Sequence, residues 1–474
     1  MNPSFRLLPG LALLLLSACS LEPRYVRPPS AVAPAYPRGA AYGEGTPVEG
    51  ARRAVADIDW REVLTDPHLQ QLVEIALDNN RDLRAAVLNV ESLRAQFRIQ
   101  AAALFPQVDA VLSEARGRTP ADVSRTGAPE KTGSYSVGAS FGWELDLFGK
   151  LRSLRAAALE QYLASVQGRN AAQILLISQV ADQYLTMLAD DELLAVTDQT
   201  LRTARESYEI VKLQFDVGAG SELDVRQAQS VVEQAQANRA AQLRARAQAE
   251  NGLVLLLGAS PPSGALVGSR LDDQDILEDL PEGLPSALLA RRPDVLQAEA
   301  LLRSTNADIG AARAAFFPSI DLTASGGTAS AGLSGLFKAG SAAWTFAPSI
   351  ATPLFEGGAN RANLDAARAR KEIAVAQYQK AIQSAFQEVA DGLAARGTFN
   401  EQIAALDRFT QAQQRRLDLA QLLYKNGESS YLDVLTAQTD LYDARLVLVA
   451  ARLQRLTNLV DLYRALGGGW REHL

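Results

Sequence analysis

One unit is written twice in this chain, and any fold must accommodate both copies. "FDVGAGSELDVRQAQ", Phe215 to Gln229, matches "YKNGESSYLDVLTAQ", Tyr424 to Gln438, at an offset of 209 residues that carries Gly218 onto Gly427, Ser221 onto Ser430, Leu223 onto Leu432 and Asp224 onto Asp433. The same offset pairs "VAD" at Val180 with "VAD" at Val389, and "LG" at Leu257 with "LG" at Leu466. Upstream, "LDLFGK" meets "TPLFEGGA" at an offset of 207 and "ALFPQVD" meets "AFFPSID" at 212, a drift that small insertions explain. Identical punctuation at fixed spacing marks a tandem structural repeat.

Each unit reads in one order. A helix (about residues 67–105 and 286–317) ends at Phe-Pro, because proline disfavours helix at the residue before it. Two strands follow, then a very long helix (150–216 and 359–425), a Gly turn, and a return helix (222–257 and 431–466). At 1.5 Å per residue the long helix is about 100 Å and the two shorter ones about 50 and 55 Å, so the short pair end to end matches the long one. Ile382, Phe386, Val389 and Leu393, and in the other unit Ile177, Ala181, Tyr184 and Leu188, recur every three or four residues as one apolar stripe. A helix of that length with a single stripe needs neighbours along all of it.

The strands carry a different period. From Ser134 to Gly149, Tyr135, Val137, Ala139, Phe141, Trp143, Leu145 and Leu147 alternate with small, polar or charged residues. "PQVDAVLSEA", "PSIDLTASG" and "AAWTFAPSIATPLF" complete the set, the last with Trp344, Phe346, Ile350 and Leu354 on one face. Such two-faced strands fit a transmembrane barrel, and they also fit a soluble antiparallel sheet. Four strands cannot close a barrel, since single-chain barrels need about eight. Several chains sharing one barrel would close the open edges and supply the missing neighbours of the long helices in the same step.

The N-terminus favours export. "MNPSFRLLPGLALLLLSACS" has Arg6, an apolar run from Leu11 to Leu16 and small residues before Cys19, the organisation of a secretory signal and too short to span a membrane. "LSAC" resembles the bacterial lipobox, which implies cleavage before Cys19 and lipidation of its sulfur and new amino terminus; the alternative is a free Cys behind an ordinary signal. Ser20 rather than Asp after the Cys implies, by resemblance to bacterial sorting rules, the outer membrane. Residues 20 to about 57 are rich in Pro, Ala and Gly and read as an extended tether that packs on other elements. A formal charge of -7 gives no footprint for nucleic acid, and one Cys with two His (His68, His473) leaves almost no material for Cys/His metal sites or dyads. We expect no enzyme, no cofactor and no metal site.

Several stretches together resemble a known family: "DPHLQQLVEIALDNNRDLRAA", "WELDLFGKLRS", "RRPDVLQAEALLRSTNADIGAARAAFFPSIDL", "SAFQEVADGLAARG" and "LYRALGGGW". The chain is similar over essentially its whole mature length to the outer-membrane factor lipoproteins of tripartite efflux systems, the TolC-like or NodT-like channels. The resemblance implies a mostly α homotrimer: four β-strands per chain complete a shared twelve-stranded barrel in the outer membrane, and a long α-helical barrel runs on into the periplasm. It also implies a periplasmic adaptor and an inner-membrane transporter of the resistance-nodulation-division type as partners. The segments on this reading are 1–18 signal peptide, 19–57 lipid-anchored tether, 58–258 first repeat, 259–285 linker and equatorial region, 286–466 second repeat and 467–474 tail.

The Gly turns at Gly218 and Gly427 then lie at the far periplasmic end, as left-handed stops after the long helices. Ser221 with Asp224, and Ser430 with Asp433, read as caps of the return helices; the alternative places both acids at a channel constriction. By resemblance, Leu432 occupies the apolar constriction and Lys425 a basic gate position. Thr436 stands where some relatives carry a carboxylate, so Asp433 or Asp216 would have to substitute, and solvated helix ends are the other reading of Lys425 and Asp216. The adaptor is expected at Gly218, Ala219, Ser221, Leu223, Gly427, Ser430 and Tyr431. Against the exit duct stands a lumenless coiled-coil lipoprotein spanning the periplasm. Within the duct reading, drug efflux is favoured: Met1 and Met187 alone give no thioether path for metal efflux of soft metals, and the lipobox with the full family resemblance argues against type I protein secretion.

Overall fold

The computed structural model describes residues 20–42, 55–262, 270–277 and 291–470. Cys19, the signal peptide and most of the 259–285 linker lie outside these residues. Helix α1 (Pro67–Asn79) is followed at once by α2 (Arg81–Ala102), then strands β1 (Gln107–Thr119) and β2 (Glu130–Glu144), the long helix α3 (Lys150–Asp216) and the return helix α4 (Glu222–Leu257). The second repeat runs α5 (Pro293–Ala314), β3 (Ser319–Ser330), β4 (Ala342–Ala351), α6 (Ala359–Lys425) and α7 (Tyr431–Ala465). Both long helices have the bounds expected from the sequence. Among the described residues, no helix is long and apolar enough to cross a membrane.

The chain forms two compact units, and neither is a repeat. Among the described residues, one gathers 20–29, Asn89–Val166 and Gln297–Tyr378, and the other draws on 30–88, 167–296 and 379–470. Each therefore draws on both copies of the repeat.

The first unit contains the sheet, antiparallel throughout in the order β1-β2-β3-β4. Its register sorts the side chains cleanly. Rows such as Val108↔Phe141↔Ala324↔Phe346 and Leu112↔Val137↔Thr328↔Ala342 share one face with Trp143, Leu322, Ile320, Ile350 and Trp344. The opposite face carries Asp109, Ser113, Ser136, Ser140, Thr323, Ser325, Thr345 and Ser349. From the Ile320 row to the Thr328 row the apolar face spans about 27 Å along the strand, or roughly 20 Å of height at the usual tilt, comparable with the ~25 Å apolar band of outer-membrane barrels. Among the described residues nothing covers its outer strands, for Trp344 is 81% exposed and Leu112 75%.

Two expectations need correction here. The alternating stretch from Ser134 to Gly149 does not stay a strand to its end, because β2 stops at Glu144. Asp146 is recruited as a cap, its carboxylate accepting from the Leu151 and Arg152 N–H groups at 3.0 and 2.9 Å and from Arg152 Nε at 3.0 Å. Similarly, "AAWTFAPSIATPLF" ends its strand at Ala351 and leaves Leu354 exposed beyond it.

Residues 20–29 are extended, as the tether composition predicts, and they are held by polar contacts to α5. Arg27 donates to both Glu299 oxygens at 3.0 and 2.6 Å, Tyr25 Oη donates to Glu299 at 3.1 Å, and Arg303 adds a bond one turn on at 2.9 Å. Burial pushes the Glu299 carboxyl up, but the hydrogen bonds from the two arginines outweigh it and hold the group below the usual carboxylate range.

In the second unit the expected single helix 67–105 is broken. Asn80 adopts an extended backbone, with Oδ1 accepting from the Leu83 N–H at 2.9 Å and Nδ2 donating to the Leu256 carbonyl at 2.8 Å. One buried amide thus caps α2 and ties the break to the end of α4. The second repeat makes the same joint with different chemistry. Arg292, buried at the equivalent position, donates Nη1 to the Ala465 carbonyl at the end of α7 at 3.0 Å, and pairs with Asp294 and Glu388. Proline at the first position of α5 needs no N–H donor there. The expected stretch 286–290 of that helix lies outside the described residues.

Gly258 ends α4 in the left-handed conformation, φ +66°, and a Cβ on it would meet the Asn79 carbonyl oxygen at 2.4 Å. Gly427 has φ +73° with open space around it. Gly427→Ala is expected to cost about 1–2 kcal/mol of backbone strain, and Gly258→Ala a further ~1–3 kcal/mol from the steric clash. Melting followed by circular dichroism at 222 nm should rank Gly258→Ala well below Gly427→Ala, and equal losses would contradict the joint.

Candidate functional site: the hairpin tips

The two Gly turns come together in the second unit. Val211 of α3, Ala228 of α4, Leu417 and Ala420 of α6, and Tyr431, Val434, Leu435 and Leu441 of α7 form one buried cluster, with Tyr208, Val225 and Tyr424 packed against it. Polar bonds stitch its edges. Tyr424 Oη donates to Gln214 Oε1 at 2.6 Å, Gln438 Nε2 to Ser207 Oγ at 3.3 Å and Arg445 to Gln414 at 2.7 Å, while Arg416 pairs with Asp440. The tip is therefore a closed four-helix end in which both repeats hold each other.

Each expected residue has a definite place. Gly218 and Gly427 are left-handed, φ +76° and +73°, and their turns are closed by Ala219 N–H to Gln214 O at 2.7 Å and Glu428 N–H to Leu423 O at 2.9 Å. Ser221 Oγ accepts from the Asp224 N–H at 3.1 Å and donates to its carboxylate at 2.7 Å. Ser430 offers its N–H and Oγ to Asp433 at 3.2 and 3.0 Å. Asp433 completes a capping box by accepting the Ser430 N–H, whereas at the first tip Ser221 is the cap and the Asp224 carboxylate accepts only its hydroxyl. Asp216 and Lys425 are exposed, and Lys425 has no ion pair among the described residues, so neither Asp216 nor Asp433 pairs with it within one chain.

Leu432 is 56% exposed and Leu223 66% exposed, whereas Tyr431 is 4% exposed. That corrects the placing of Tyr431 on the docking surface: its ring lies against Tyr424 at 5.2 Å between centroids, and burial pushes its hydroxyl up to about 12. The reason is helical phase, for Tyr431, Val434, Leu435 and Gln438 turn inward while Leu432, Asp433 and Thr436 turn outward. Beside the tip a groove of about 480 Å³ is lined by Arg415, Leu419, Leu423, Ser429 and Asp433.

Further from the tip lies a charged layer that the sequence pattern did not single out. Arg452 of α7 reaches Asp272 at 2.7 Å, Glu192 at 3.6 Å and Asp407 at 3.8 Å, joining three separate segments. Asp182, the acid of the first "VAD", is largely buried with Oδ1 unpartnered. Its burial, together with the nearby Asp461 carboxylate and against the opposing Arg464, pushes it up to about 7. Among the described residues no group of His, Cys, Asp and Glu is arranged to hold a metal ion.

A two-faced sheet with open edges, long paired helices and gathered hairpin tips defines a class of outer-membrane channel. The family model described as "Outer membrane efflux protein" matches residues 72–259 and 284–468, and the chain belongs to that family. It is 47% identical over 460 residues to the probable efflux pump outer membrane protein TtgC of Pseudomonas putida, covering 97% of this chain and 94% of that one. It is 44% identical to the outer membrane protein OprJ of Pseudomonas aeruginosa, over 99% of this chain and 97% of that one. Among solved structures, the open state of the Neisseria gonorrhoeae MtrE outer membrane channel superposes with a TM-score of 0.84 at 40% identity, covering 96% and 99% of the two chains.

The raised proton affinity of Asp182 has a consequence for stability. The folded chain holds this proton up to about pH 7, whereas an aspartate at its usual 3.8 releases it far earlier. Stability from this group is therefore full below about pH 4, declines between pH 4 and 7, and is lost above. Asp182→Asn should add at most about 4 kcal/mol of stability at pH 8, read as a raised melting temperature, and the gap to wild type should close towards pH 4. A pH-independent gap would contradict the assignment.

Proposed function

We propose that this chain is one third of the exit duct of a tripartite efflux pump, carrying small toxic molecules out across the outer membrane. The carrying observation is the sheet: an uncovered apolar face, a polar opposite face, and β1 and β4 left as free edges. In a membrane every backbone N–H and C=O must be paired, so an open four-stranded sheet is not viable alone. Three copies joined edge to edge make twelve strands, an even number within the usual range for such barrels. The polar face of small residues then lines a wide lumen, and the long helices continue it into the periplasm. A lumenless coiled-coil lipoprotein would have no use for an apolar sheet face of membrane height.

Cys19 carries the lipid anchor on this reading, and residues 20–29 lead from it along α5. A periplasmic adaptor docks at the exposed tip around Gly218, Ala219, Ser221, Leu223, Gly427 and Ser430, and an inner-membrane transporter of the resistance-nodulation-division type supplies the driving force. The duct performs no reaction and selects little. Relatives described as antibiotic, toluene and solvent efflux proteins of Pseudomonas putida support a cargo of antibiotics and apolar solvents.

The outward row of α7, led by Leu432 with Asp433 and Thr436 beside it, forms the resting constriction when three tips converge. Lys425, Asp216 and Asp224 set its charge. Single-channel recording of the lipidated protein in a planar bilayer should give small or rare openings for wild type and larger, more frequent ones for Leu432→Gly. Identical traces would remove Leu432 from the gate, and silence from both after confirmed insertion would overturn the duct.

A further inference from the structure

The outer end of the sheet carries a charge pattern that neither packing nor conduction requires. On the apolar face, the rows beyond Leu112↔Val137 change character: Glu114 stands opposite Tyr135, Arg116 opposite Gly133, and Arg118 opposite Lys131. Two cations thus face each other across one antiparallel pair, with Cβ atoms about 4.5–5.5 Å apart, an arrangement that is destabilising when left uncompensated. Arg116 is already engaged, by Glu114 at 2.6 Å and by the Tyr135 hydroxyl. Arg118 and Lys131 are exposed and form no ion pair among the described residues.

Compensation from elsewhere in the chain is scarce. Thr119 pairs with Glu130, which puts that acid on the opposite, polar face. Asp122 and Arg125 in the hairpin loop cancel each other in formal charge. Between Ser319 and Phe355 the only charged residues are Asp321 and Lys338, and Asp321 pairs with Glu144 at the other end of the sheet. A neighbouring copy contributing its β4 and the preceding loop would bring Lys338 and no acid.

The position matters as much as the charge. The loops 120–129 and 331–341 lie at the end of the sheet away from the connections to α2 and α3. If the helices are periplasmic, as proposed above and on which this inference rests, these loops face the exterior. Arg116, Arg118 and Lys131 then sit on the lipid-facing side, immediately beyond the apolar band and its boundary tyrosine, where lipid headgroups of the outer leaflet lie. We infer that Arg118 and Lys131, with Arg116 alongside, bind the phosphates of an outer-leaflet phosphoglycolipid of the lipid A type. Its acyl chains would run down the Leu112, Val137 and Phe141 face. A phosphate between the two cations turns their repulsion into a pair of charge-assisted hydrogen bonds.

The test uses purified full-length protein in detergent, titrated by native mass spectrometry with bisphosphorylated lipid A, its dephosphorylated form and phosphatidylglycerol, beside planar-bilayer conductance of the same preparations. Wild type should prefer bisphosphorylated lipid A over either control by on the order of tenfold, given roughly one decade or less per surface cation. Arg118→Gln/Lys131→Gln should lose that preference while keeping wild-type conductance. A conducting wild type that binds all three lipids equally, or a double variant that keeps the preference, would overturn the site alone. Absence of conductance from wild type would overturn the barrel reading and the site with it.

Discussion

The structure depends on the unpaired backbone at the two edges of a short sheet. β1 and β4 each present a row of N–H and C=O groups, and the face between them is apolar over roughly 20 Å of height, comparable with the ~25 Å apolar band of outer-membrane barrels. In water such a sheet would aggregate, and in lipid its edges would be intolerable. Only closure on further copies resolves both, and closure also gives the long helices α3 and α6 the flanking partners that their exposed residues lack within one chain.

Duplication shapes how each chain prepares for this. The strands of the two repeats pair across the repeat boundary, β2 with β3, so neither copy can make the sheet alone. In the second unit, the break before α2 and the start of α5 are solved twice by unrelated residues, Asn80 and Arg292, each donating to the last carbonyls of its own return helix. The amide caps its helix directly. The guanidinium needs Asp294 and Glu388 to offset its burial, and those pairs hold it charged.

Much of this was legible in the sequence, and the parts that were not have physical reasons. Long helices are set by punctuation that acts locally, Gly turns and Ser-x-x-Asp caps, which is why α3 and α6 fell where their spacing placed them. The break at Asn80 is written in a tertiary contact to Leu256, and no local period announces it. Leu145 and Leu147 continue an alternation although Asp146 between them is taken by the first turn of α3, so hydrophobic period and capping compete and capping prevails. At the tip, the residue types pointed to exposed turns, but Tyr431 is turned inward by one step of helical phase. The charged cluster around Arg452 was invisible because its members are spread over four distant segments.

The central claim is that the sheet closes only between copies, and the mass of the detergent-extracted particle tests it most directly. Native mass spectrometry under conditions that preserve conductance should find three chains and no monomer. A conducting particle of one chain would contradict the account, because four strands cannot enclose a lumen.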